Sequence, residues 1–417
     1  MFGIPLQQII EMKKIIISLI IALAFGAWFF RDTIQDIRLL MDYEAMFAPN
    51  NIDHNFRTVH QQYPAITIPK TRNIYNIPVA IQNDVLPKTF TYEGETFSIQ
   101  DEIEKIHLTS LLIIKADTII SEQYYRGLTA DQQSIMFSCT KSIMSLLIGI
   151  AYESGAIQSL EDEAGKYAAE LKGTVYEKVT IQNLLDMSSG VQWTEVYDDL
   201  DSDVVQSFLA LMKGSLNDFT KEMKRNREQG VFNQYTSMDS QVLGMVIVGA
   251  TNTKLEDYFK DKLWSKLGGE QDVHFLTDKV GFPIAYGGLM MTTRDLAKIG
   301  LLMLNDGKNH QGEQLFSPEW IQQSITPDAP HLMAGKDNPN SDYPLGYKNQ
   351  WWFNVERDGD DFSAIGIYGQ TLYVNPARNI TIASFSAYPE YNEDLDGEIR
   401  RLVMFQEIAK YVDDKYR

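Results

Sequence analysis

The chain has 417 residues, 44% of them hydrophobic and 22% charged, the balance of a folded protein with room for two or three domains or one large catalytic unit. Its net charge of −19 argues against nucleic acid as a partner, because a phosphate backbone needs a basic footprint. One cysteine, Cys139, rules out an intrachain disulfide, and the scattered histidines give no metal-ligand spacing, so no metal is expected.

Lys13 and Lys14 precede an apolar or small stretch, 15–30, the pattern of a charged n-region and a hydrophobic h-region. Sixteen helical residues cover about 24 Å, short for a bilayer but workable with snorkelling lysines and an interfacial Trp28. Residues 1–30 are therefore read as a signal anchor, or as a signal peptide cut before Ala27. The remainder is then exported: membrane-anchored and facing the periplasm or exterior, or periplasmic after cleavage.

Residues 31–105 read as a lead-in. Ile34, Ile37, Leu40 and Met41 recur at helical spacing, and prolines 49, 64, 69, 78 and 87 then break the chain. A short strand is expected at 89–92 and a brief helix at 101–106. The main domain, 106–417, opens with a hairpin, 108–115 and 118–125, turning at Ala116-Asp117. A helix follows from Ser138 to about 154, with Gly155 as its stop. A turn and short helix come next at 157–167, then an N-capped helix at 179–185. The middle reads as helical at 203–212, 237–249 and 254–267, then at 294–304 and 318–324. The last third changes period to strands at 351–355, 361–368, 370–374 and 380–386, closed by a helix over 395–412. Strands at both ends and helices between predict an α/β (α+β) fold: one antiparallel sheet flanked by helices, with an inserted, mainly helical subdomain. A site belongs at the seam of those layers.

Ser138 and Lys141 stand three residues apart at the head of the apolar helix, so their side chains share a face. A lysine whose pKa is lowered by burial can take a serine's proton, and the first turn offers free N–H groups to an oxyanion. Alone, the pair reads first as an N-cap and a solvated lysine. Tyr235, directly before the 237–249 helix, can face a cleft and relay a proton, and a lysine nearby favours its phenolate. Ser237 is a helix cap by position or part of the same site. Gly366 to Gly369 lie where a strand's glycines permit close approach of a ligand, and the N–H of Gln370 is a second oxyanion donor beside that of Ser138. The loop 190–199 is rich in aromatics and acids and is placed to cover a pocket. Cys139 points to another helix face and reads as packing.

Ser138-x-x-Lys141, Tyr235-x-Ser237 and Tyr368-Gly369-Gln370, in that order, resemble the three active-site motifs of the serine β-lactamase and penicillin-binding-protein superfamily. The stretches 179–190 and 286–297 look most like its class C β-lactamase, esterase and 6-aminohexanoate-dimer (nylon oligomer) hydrolase branch. The resemblance covers roughly 105–417. It implies a transpeptidase-type fold, Ser138 as acylated nucleophile, Lys141 as its base, Tyr235 in proton transfer and the N–H groups of Ser138 and Gln370 as oxyanion hole. It further implies Ser237, Tyr368 and Gly369 at the substrate, with Tyr197 as a loop tyrosine closing over it. Ile367-Tyr368-Gly369 replaces the Lys-Thr-Gly of β-lactam enzymes, so the cation that holds a β-lactam carboxylate is missing. The implied acyl transfer needs no metal or organic cofactor, and the implied substrates are small esters, linear amides or short peptides; the rivals are β-lactamase or D-amino-acid peptidase activity, and a non-catalytic envelope binding protein.

Overall fold

The structure, a computed structural model, describes residues 12, 13, 16, 31–391, 393, 394 and 396–416. The chain divides into two compact units, Met1–Phe47 and Ala48–Arg417. In the first, Arg31–Met46 is helical, as its spacing predicts. The apolar run read as a membrane anchor lies outside the described residues except for Ile16. Among the described residues no helix is long and apolar enough to cross a membrane. Arg31–Met46 itself carries Asp36, Arg38, Asp42 and Glu44, a charge density no hydrocarbon core accepts. The anchor, the membrane as partner and the envelope or periplasmic location built on them are corrected accordingly.

The second unit begins with helix α1 (Ile52–Gln62) and strand β1 (Ala65–Ile68), followed by a small hairpin of β2 (Thr89–Tyr92) and β3 (Glu95–Ser98). The expected hairpin is β4 (Leu108–Lys115) and β5 (Thr118–Tyr124), and Ala116 supplies its left-handed turn at φ 51°. Then come β6 (Ser134–Ile135), α2 (Cys139–Glu153), α3 (Ser237–Thr251), β7 (Val273–Leu276), β8 (Leu289–Met291) and α4 (Thr293–Leu304). The chain ends with β9 (Gly346–Lys348), β10 (Trp351–Phe353), β11 (Phe362–Gly366), β12 (Gln370–Asn375), β13 (Ile380–Ser386) and α5 (Gly397–Lys415).

Seven antiparallel strands form the main sheet in the order β5-β4-β13-β12-β11-β10-β9. Both chain ends contribute, and β13 joins them by pairing with β4. The inner strands are buried on both faces, which explains the continuous apolar run of β4 where a one-sided strand would alternate. On one face Leu111, Ile113, Tyr373 and Ile382 pack against Met404, Phe405, Ile408 and Val412 of α5. Each such burial contributes about 2 kcal/mol. On the other face α4 packs on β13, and α2 and α3 form the helical layer.

A second, four-stranded sheet, β1-β7-β8-β6, was not read from the sequence. Its strands hold two to four residues, too few to show a period, and Ala65 pairs with Leu276 far along the chain. The helix expected at 157–167 is mostly turns around a single 3₁₀ turn, Ala164–Lys166. The 254–267 helix is interrupted by a π-turn at Lys260–Trp264.

The lead-in is pinned to the second sheet by an unusual contact. His60 of α1 stacks on His274 of β7 with ring centroids 4.0 Å apart, and Thr67 Oγ1 meets His274 Nδ1 at 3.1 Å. Burial lowers the pKa of both; His274 falls to about 4, the neighbouring His60 adding to the effect and Asp272 opposing it. The folded state therefore prefers neutral rings. Their contribution is complete above the unfolded histidine value of about 6.5 and is lost as pH falls through that value towards 4. The melting temperature should drop by several degrees between pH 7 and 4.5, and His274→Phe, which keeps the stack without the titration, should flatten that drop; equal pH slopes for both proteins would refute it.

Candidate active site

The first apolar turn of α2 sets the site. Ser138 precedes the helix at its N-cap position but makes no capping hydrogen bond, so the cap reading does not describe its side chain. Phe137 before it is held left-handed at φ 44°, rare for a bulky residue and costing about 1–3 kcal/mol. Lys141, one turn on, is 1% exposed, and its Nζ lies 2.8 Å from Ser138 Oγ. The same nitrogen donates to the carbonyl of Tyr286 at 2.9 Å and sits 4.9 Å from the ring centroid of Tyr235 and 5.4 Å from that of Tyr286. Burial brings the Lys141 pKa down to about 8, against a smaller upward pull from the Glu195 charge. A lysine so placed is neutral often enough to accept a proton near neutral pH.

Tyr235 arrives from the segment before α3 and is packed among Tyr343, Tyr347 and Trp352, with ring centroids 5.8, 6.1 and 5.2 Å away. It lines the same cavity as Ser138, whose side chain exerts a small downward pull on the Tyr235 pKa. Burial, reinforced by Tyr347 and Glu195, holds its pKa well above the ordinary tyrosine value. The expectation that a lysine favours the phenolate is therefore corrected: desolvation dominates and favours the neutral phenol. Helices α2 and α3 are tied at their backs to one residue, since Ser142 Oγ donates to the Gln350 carbonyl and Ser240 Oγ to its Oε1, both at 2.6 Å. That bond pair fixes the Ser138–Lys141 turn relative to Tyr235.

A cavity of about 340 Å³ opens on Ser138 and Tyr235, the size range of small-molecule sites. Tyr197 lines it and donates to Glu195 Oε1 at 2.5 Å. Ser237 is 1% exposed and stands behind the wall; its hydroxyl donates to the same oxygen at 2.6 Å. Glu195 also accepts from Trp193 Nε1, so one carboxylate gathers the loop and the start of α3. Neither Tyr368 nor Gly369 lines the cavity: the Tyr368 ring packs on Phe56, Phe137 and Tyr391. Gln370 is fully buried, in register with Gly366, with its carboxamide bonded to the carbonyls of Ile367 and Ser386. Beside Ser138 the cavity is lined by Ile365, Gly366 and Ile367, the last of them three residues before Gln370. Gly366 is required there, because a Cβ would fall 2.4 Å from the Met136 carbonyl. Cys139 is buried against the Gln370 carbonyl and burial pushes its thiol pKa up, in keeping with packing.

Glu195, Tyr286 and Ile367 were not singled out in sequence. Glu195 lay two residues from Trp193 and from Tyr197 in the acidic loop; the Tyr286 role is a backbone carbonyl, invisible in residue type. Among the described residues no group of histidine, cysteine and carboxylate side chains could hold a metal.

The Beta-lactamase family model matches residues 99–403. The 6-aminohexanoate-dimer hydrolase of Paenarthrobacter ureafaciens is 27% identical over 301 residues, 70% of this chain and 76% of that protein. A solved structure described as a candidate 6-aminohexanoate-dimer hydrolase from Bacillus anthracis superposes with a TM-score of 0.77 at 22% identity, covering 89% of this chain and 97% of the other. A penicillin-binding protein from Bacillus halodurans superposes at 0.56 with 16% identity over 73% of this chain and 99% of its own. The chain belongs to the beta-lactamase family, among its 6-aminohexanoate-dimer-hydrolase-like serine hydrolases, a membership that supports a serine-hydrolase type of activity.

Proposed function

We propose that the protein hydrolyses a linear amide or an ester through an acyl-enzyme on Ser138. The observation that carries this reading is the buried Lys141 Nζ, 2.8 Å from Ser138 Oγ with its pKa brought to about 8. Neutral Lys141 takes the serine proton as Oγ attacks the carbonyl carbon. The N–H groups of Ser138 and Ile367 hold the oxyanion; Ile367 takes the place first given to Gln370, which stands behind the wall. Tyr235 donates to the leaving nitrogen or oxygen as the acyl bond breaks and recovers a proton from Lys141. Water then attacks the acyl-enzyme, and the same groups return the proton to Ser138.

The cavity's charge favours the substrate class. Glu195, Asp198, Asp394 and Glu398 line it, and no lysine or arginine does so among the described residues. Asp394 is neutralised by Lys105 and Arg400, which hold its pKa far below the usual carboxylate range. The remaining carboxylates suit an acyl or leaving group bearing an amine and repel the carboxylate of a β-lactam. A panel of short acyl esters, an aminohexanoate dimer, D-Ala-D-Ala peptides and a chromogenic cephalosporin tests this. Turnover of the ester or the amine-bearing amide should exceed that of the cephalosporin by about 100-fold in kcat/KM. A preference for the cephalosporin would overturn the assignment.

A further inference from the structure

We infer that Phe56, on a helix ahead of the family-matched region, is a positioning residue for acyl transfer: its ring braces the two left-handed residues that flank the oxyanion donors. The inference rests on the reading of Ser138 as nucleophile. Helix α1 contributes none of the cavity-lining residues and lies outside residues 99–403. Phe56 is nevertheless 1% exposed, with its ring edge-on to Phe137 at 4.9 Å and tilted over Tyr368 at 5.4 Å. Those two rings meet each other at 5.9 Å. Phe137, at φ 44°, directly precedes Ser138; Tyr368, at φ 63°, directly follows Ile367. Large side chains hold such conformations only where their surroundings over-determine them. On the backbone side the two segments already touch, where Gly366 meets the Met136 carbonyl. On the side-chain side Phe56 touches both, a ring they share among the described residues.

Were Phe137 to relax to negative φ, the peptide plane that carries the Ser138 N–H would swing; were Tyr368 to do so, Ile367 would shift with the 367–368 peptide and carry its N–H, one plane further back, off the cavity. Misplacements of this kind cost rate far more than binding. The brace is itself held fast. Arg57 Nη1 donates to the Arg126 carbonyl at 3.0 Å, Arg126 pairs with Asp53 at 2.9 Å, and His60 stacks on the second sheet. All three anchors lie on the same helix as Phe56.

Phe56→Ala and Phe56→Leu should each lower kcat by about tenfold or more while KM stays within about twofold. Affinity for a simple arylboronic acid, which takes the serine oxygen as a fourth ligand on boron and leaves a boron-bound oxygen at the oxyanion position, should fall in parallel. Phe259→Ala, at another fully buried ring, should lower the melting temperature and leave both quantities alone. Should Phe56→Ala fail to fold, Phe56→Leu decides. Folded Phe56 variants with kcat and boronate affinity within about twofold of the parent would overturn the inference. Ser138→Ala separates the two readings. If it retains activity, the nucleophile assignment fails. If it is inactive and the Phe56 variants are normal, only the brace fails.

Discussion

Ser138→Ala is expected to lower kcat by about 10⁴-fold or more, leaving the residue of rate that oxyanion donors and binding provide alone. The substitution should be nearly silent in stability. Ser138 makes no capping hydrogen bond, so the usual loss of about 1 kcal/mol on removing an N-cap hydroxyl does not arise. Lys141 keeps its bond to the Tyr286 carbonyl, so the buried amine is not left without a partner. Labelling by a fluorophosphonate should vanish with activity, because other serines near the turn are committed elsewhere or enclosed. Ser142 donates to Gln350, Ser237 to Glu195, and Ser145 is fully buried. Among the described residues Ser138 is the serine that lines the cavity. Undiminished labelling of the variant at another serine would remove Ser138 from the role.

The contrast between what was legible and what was not follows from where the information lies. The Ser138–Lys141 pair was readable because one helical turn fixes the separation of its side chains, whatever the rest of the chain does. The long strands Leu108–Lys115 and Ile380–Ser386 were readable because burial on both faces writes a continuous apolar run. The second sheet was not, because strands as short as Ser134–Ile135 carry no period and are specified by partners such as Met290 and Met291 far downstream. The strand expected to carry the second oxyanion donor does reach the cavity, but through other residues than Gln370. Motif spacing placed the donor after Gly369, whereas two consecutive left-handed residues, Tyr368 and Gly369, turn the chain so that Gly366 and Ile367 face the cavity. Glu195 shows the same limit. Its acidity was visible, but its service to both Tyr197 and Ser237 depends on a loop whose course no local pattern sets.

Lys141→Met should cost about 10³-fold in kcat/KM, within the range expected for losing a general base. Methionine fills the buried channel between Tyr235 and Tyr286 without a charge, so the loss reports chemistry more than packing. The wild-type pH profile provides the companion test. The base must be unprotonated, and its pKa lies near 8, so kcat/KM should rise about tenfold from pH 7 to 9 and then level. Tyr235, with its pKa held well above the ordinary value by burial, contributes no falling limb in that window. Glu195 supplies a sign that a generic alkaline effect would not. Its carboxylate stabilises the ammonium form of Lys141, so Glu195→Gln should move the rising limb to lower pH. A profile that stays in place, or moves up, would take the proton-accepting role from Lys141 even if Lys141→Met were inactive. That result would leave the nearby Tyr235 as the group that must lose its proton, at a desolvation cost that burial among Tyr343, Tyr347 and Trp352 makes steep.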